Sequence, residues 1–152
     1  MSVTSWFSSF LLLIALVWAL VLCVYDIRQR RLPDFLTLPV GGLALAWILS
    51  TLQWVGLWGL IWPVLYLVLA VISHGHGMGG GDIKLAVPLG IVIAVYAGVV
   101  AVMVAIALTA VVAVVWGMGL RWKGHRQALR FSDPPNGPAM LLATAVVIFT
   151  PL

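Results

Sequence analysis

Apolar residues in this chain do not alternate with polar ones; they run together in long blocks. The blocks are Ser5 to Tyr25, Leu36 to Thr51, Leu57 to Ser73, Leu85 to Leu120 and Ala139 to Leu152, separated by short polar interruptions. About 20 consecutive apolar residues suffice for a helix to cross the roughly 30 Å hydrocarbon core of a bilayer. Ser5 to Tyr25 therefore predicts a crossing helix. The block from Leu85 to Leu120 has no charged residue, and as one straight helix it would be roughly 54 Å long. It must fold back, with Pro88, Gly90 and Gly98 as candidate turning points, which predicts a fourth helix over Ile83 to Tyr96 and a fifth from about Gly98 to Leu120. The last block is short for a full crossing, so a tilted or partly inserted segment is expected. The prediction is an all-α, polytopic membrane helix bundle of about six segments, forming a single domain over residues 1–152.

Composition agrees with that pattern. The chain is 64% hydrophobic and 8% charged, with a mean hydropathy of +1.19, whereas soluble domains carry about 25% charged residues. The net charge of +4 does not point to nucleic acid. Arg28, Arg30, Arg31, Lys84, Arg121, Lys123, Arg126 and Arg130 all fall in the first, third and fifth connections, and the second and fourth have none. By the positive-inside rule the odd connections are cytoplasmic and both chain ends lie outside. The uncharged second connection, LQWVGLWG, carries tryptophans suited to a membrane interface. The lone Cys23 can form neither a disulfide framework nor a cysteine zinc site within one chain. The first block follows no basic stretch, so it is read as a retained helix and not a cleaved signal.

Against this background the four acids, all aspartates, need reasons. Asp82 ends a glycine run, HGHGMGGGDIKL from His74 to Leu85, between two apolar blocks. An ionisable residue at a membrane is a functional-site hypothesis by default. The bland alternative is an N-cap after a flexible glycine turn. So many residues without a Cβ would also admit an extended peptide backbone, and Gly79, Gly80 and Gly81 are expected to support the loop or the substrate. Asp26 closes the first block, where it could simply mark the helix exit, paired with Arg30. Segment counting, however, places Asp26 and Asp82 on the same, cytoplasmic, face. Two carboxylates brought together share a proton, so one can act as base on water while the other acts as acid. Lys84 either tunes Asp82 or anchors the topology, and the anchor is preferred. Asp34 and Asp133 lie in turn contexts, and Asp34 or Thr37 could cap the second helix. In that helix Gly41 and Gly42 permit close packing against a neighbour. His74 and His76, two apart, are weak evidence for a metal site, and interfacial polar residues are the preferred reading.

The residues also carry a resemblance. Gly79, Gly81 and Asp82 within GMGGGDIK match the GxGD motif of a group of intramembrane aspartyl proteases. Asp26, followed by a basic stretch and then by Leu32-Pro33-Asp34 and Leu36-Thr37-Leu38-Pro39, resembles the first catalytic segment of the prepilin peptidases, or type IV leader peptidases. Pro135-Asn136-Gly137-Pro138 is similar to that family's closing motif. The resemblance covers nearly the whole chain. It implies Asp26 and Asp82 as catalytic residues, no cofactor, and prepilin or pseudopilin substrates cleaved after a leader glycine, on the cytoplasmic side of the inner membrane. Larger family members add an amino-terminal part with paired CxxC motifs and methylate the new pilin terminus. This chain resembles the short, peptidase-only type serving Flp/Tad-like pili or related secretion systems. A rival from another class is a small proton- or ion-coupled carrier using the same aspartates; such a carrier should hold them near the midplane, whereas here they sit at segment ends beside basic connections. A catalytically silent scaffold is disfavoured by the motif context.

Overall fold

The computed structural model describes residues 3–29, 32–74, 79–122 and 136–150. Every element among them is helical, in the order α1 (Val3–Gln29), α2 (Asp34–Ser50), a 3-10 segment (Trp54–Leu60), α3 (Ile61–Ile72), α4 (Gly80–Trp122) and α5 (Asn136–Phe149). Three described stretches are long and apolar enough to cross a membrane: Ser9–Gln29, Trp54–Ile72 and Gly80–Gly119. Helices α2 and α5 are apolar but shorter.

The boundaries differ from expectation in ways that matter for the site. Helix α1 continues past Tyr25 to Gln29, so Asp26 is a helical residue and not the exit from the helix. Helix α2 begins at Asp34 after the extended Pro33, and neither Asp34 nor Thr37 caps it; the Thr37 hydroxyl donates back to the Pro33 carbonyl instead. The tryptophan-rich connection is helical itself and leads straight into α3. Helix α4 begins at Gly80, three residues before the expected Ile83. Of the three candidate turning points in α4 only Gly98 leaves helical geometry, with φ 84° and ψ 178°. Pro88 remains inside the helix, against Gly41 of α2. That contact is the close packing expected at Gly41, whereas Gly42 faces open space.

The core forms around α4, which packs against α2, the 3-10 segment, α3 and α5. Leu85, Ala86, Leu89, Ile93 and Ala94 precede the break, Ala101, Val102 and Ala105 follow it, and all join one buried cluster with Trp62, Met140 and Val147. Helix α1 adds only a narrow buried stripe to this cluster. Leu12, Leu16, Leu20 and their neighbours on α1 are exposed, as are Leu43, Val71 and Val100 on other helices. An apolar exterior over backbone groups paired within helices is what a lipid solvent requires. The chain is an integral membrane protein.

Candidate active site

The buried stripe of α1 consists of Trp18, Leu22 and Asp26, four residues apart and so stacked on one face. Leu22 is fully buried in the core and Trp18 packs at its edge. The Trp18 indole Nε1 donates to the Leu36 carbonyl at 3.0 Å, tying α1 to the first turn of α2. Tyr25 adds an edge-to-face contact with Phe35, ring centroids 6.4 Å apart. These contacts fix the rotation of α1, and Asp26 is the one acid on its inward face, 5% exposed.

Asp82 arrives from the opposite end of the sequence motif. It lies in the first turn of α4, where the helix N-terminus favours a negative side chain, and its N–H bonds to the Gly79 carbonyl at 3.0 Å. It is 8% exposed. The three glycines before it do different things. A Cβ on Gly81 would come within 2.7 Å of the Leu32 Cβ, so the absence of a side chain lets the start of α4 lie against the Leu32-Pro33-Asp34 segment. Gly79 faces the Asp82 carboxylate at ordinary contact distance, and Gly80 has open space around it. Expectations resting on Arg30, Gly75, His76, Gly77 and Asp133 lie outside the described residues.

Both carboxylates converge on the start of α5. The Gly137 N–H donates to Asp26 Oδ2 at 2.8 Å, and the Asn136 side-chain Nδ2 donates to Asp82 Oδ2 at 3.3 Å. Adjacent residues of one helical turn therefore hold one aspartate each. The chemistry of a helix start explains the first of these bonds. The leading N–H groups of a helix have no partner within it, Pro138 has no N–H to offer, and Gly137 gives its own to a carboxylate where the positive end of the helix dipole favours one. The fit is close, since a Cβ on Gly137 would lie 2.8 Å from Asp26 Oδ2. A buried ionisable group needs such partners, because burying it without them is costly.

Lys84 makes an ion pair with the start of α2. Its Nζ donates to Asp34 Oδ1 at 2.6 Å, so the two turn out to be each other's partners and tie the start of α4 to the start of α2. Asp34 is thus a helix-start residue spent on an interhelical ion pair. His74 lies two residues beyond the end of α3 with a left-handed φ of 54°, its Nδ1 3.1 Å from the Ile72 carbonyl. Among the described residues no three ligating side chains cluster as a metal site would require. Sequence reasoning noticed Asn136 and Gly137 only as part of a motif. The signal that could have placed them was a Pro-Asn-Gly-Pro start to the last apolar block, which leaves donors unpaired at a helix end.

A membrane bundle holding two buried aspartates, from separate helices, at the start of a third is the architecture of an embedded hydrolytic or ion-handling site. Sequence comparison decides the class. The type IV leader peptidase family matches residues 13–114, more than half of the chain, and the protein belongs to that family. Membership makes it a membrane protease and implies prepilin-type substrates. The matched region holds both aspartates and ends before α5. Searches of curated proteins and of solved structures returned no match.

Proposed function

We propose that this protein is an intramembrane aspartyl endopeptidase that removes the short leader of type IV prepilin-like substrates, of the Flp/Tad or pseudopilin kind, at the cytoplasmic face of the inner membrane. The observation that carries the reading is the convergence of Asp26 and Asp82 on Asn136 and Gly137. With one carboxylate ionised and the other protonated, the ionised one takes a proton from water as the oxygen attacks the scissile carbonyl carbon, and the other gives its proton to the carbonyl oxygen. The resulting diol collapses as the C–N bond breaks, and the departing amine takes up a proton from the dyad. No cofactor enters these steps. Open space at Gly80 offers the extended scissile segment a way past the first turn of α4, while Gly79, Gly81 and Lys84 support that turn. The break at Gly98 divides α4 into two arms, which supports a reading of six segments with both chain ends outside.

The test is processing of an epitope-tagged prepilin co-expressed with the enzyme, followed by its mobility shift in isolated membranes. Asp26→Asn and Asp82→Asn should each cut the rate at least about a hundredfold, the scale of a lost general acid or base. Asp34→Asn and Asp133→Asn should leave most of it. Wild-type cleavage by either of the first two variants, present at normal levels, would dispose of the dyad.

A further inference from the structure

We infer that Asn136 is a positioning residue for the reaction, and that the Asn136-Gly137 pair acts as a bracket setting the two carboxylates relative to one another; this rests on the dyad reading above. The segment after α1 meets the start of α4 at Leu32 and Asp34, and α5 packs against both helices that carry the aspartates. Among the described elements the helix carrying Asp26 has α5 as its main partner, and α4, which carries Asp82, packs extensively against α5. The start of α5 is therefore the common reference for both. At that start the two donors differ in kind. Gly137 offers a backbone N–H, rigid with the helix, whereas Asn136 offers a side-chain amide whose reach depends on its length and chemistry. The Asp82 carboxylate can turn about its own side-chain bonds, and the Asn136 amide selects the orientation in which Oδ2 faces α5. A donor on the carboxylate also fixes which oxygen can take or give a proton, since an oxygen accepting from N–H is the poorer site for one.

The bracket predicts a particular kinetic pattern. Orientation of a catalytic carboxylate matters in the chemical step and contributes little to holding the substrate's apolar helix. Loss of the amide should lower kcat and leave KM nearly unchanged. Asn136→Leu keeps the size and removes the donor; Asn136→Gln keeps the donor on a longer arm. Gly137→Ala places a methyl group against Asp26 Oδ2 and tests the other half of the bracket.

The experiment compares these variants with wild type, Asp26→Asn and Asp82→Asn in detergent-solubilised form, on a purified epitope-tagged prepilin, with the thermal midpoint of each recorded. Asn136→Leu should lose roughly tenfold or more in kcat, the scale of a lost hydrogen bond to a charged group, with KM within about twofold. Asn136→Gln should recover at least half of that loss on a logarithmic scale, and Gly137→Ala should fall at least as far as Asn136→Leu. If Asn136→Leu turns over within twofold of wild type while Asp82→Asn is inactive, the bracket is wrong and the dyad survives. If Asn136→Gln is as slow as Asn136→Leu at an unchanged thermal midpoint, the donor is irrelevant and the inference falls as well. If the two aspartate variants remain active, the dyad reading itself has failed.

Discussion

Lys84 and Asp34 illustrate how little a short distance says about energy. Their charged atoms lie 2.6 Å apart, yet the side chains are 36% and 61% exposed, and exposed ion pairs contribute about 0–1 kcal/mol. The pair's use is geometric, since it joins the start of the helix carrying Asp82 to the segment that follows Asp26. A double-mutant cycle on Lys84→Gln and Asp34→Asn should give a coupling energy below about 1 kcal/mol in thermal or denaturant unfolding. A value above about 2 kcal/mol would mean the pair is shielded from solvent in the folded membrane protein. At this scale Asp26 and Asp82 were legible because a charge in an apolar chain stands out. The partnership of Lys84 with Asp34 was not, because 50 residues separate them and each has a sufficient local explanation. Asn136 was illegible for a related reason: an asparagine between prolines reads as a turn, and only the folded chain shows where its amide points.

Apolar length foretold the helices well, and their ends poorly. Helix α1 keeps its hydrogen-bond ladder through Asp26 because nothing in Ile27 to Gln29 opposes helix, so the charge stops the apolar run without stopping the element. Three residues were candidates for the turning point in α4. Pro88 costs one hydrogen bond that a membrane helix tolerates when neighbours pack around it, whereas Gly98 alone adopts backbone angles that are essentially glycine's own. Nothing lies within 4 Å of the place a Cβ would occupy at Gly98, so crowding plays no part. Gly98→Ala should therefore destabilise the protein by about 1–3 kcal/mol through backbone strain, read as a lower thermal midpoint in detergent. Gly42→Ala, in a helix and equally uncrowded, is the control and should be neutral or slightly stabilising. Equal midpoints for the two variants would remove the break at Gly98 as a fixed feature.

At the scale of the molecule, sequence alone reached the class of the fold, and it also yields a proposal for the side of the membrane. Charge parity needs no contact information: eight basic residues in the expected odd connections and none in the even ones predict an orientation. Single cysteines in a Cys23→Ser background test it. Cysteine at Gln53 should react with a membrane-impermeant maleimide added to intact cells, and cysteine at Lys123 should react only after the membrane is opened. The reverse pattern would place the aspartates on the far side and remove cytoplasmic processing. Packing order, by contrast, was not readable. Nearly every surface is apolar, so hydropathy cannot separate a face that meets lipid from one that meets protein. The core position of α4 and the reliance of α1 on α5 follow from shape, through small residues and close approaches that no one-dimensional pattern encodes.

The contact between Gly137 and Asp26 joins residues 111 positions apart in the chain, and that separation has a meaning for biogenesis. Translation adds about 5–20 residues per second, so both aspartates are synthesised seconds before the helix that will hold them. During that interval the nascent protein carries two carboxylates without their eventual donors. Maturation of the pair thus waits on the last helix, and a ribosome that stalls before α5 releases a chain lacking both of those contacts.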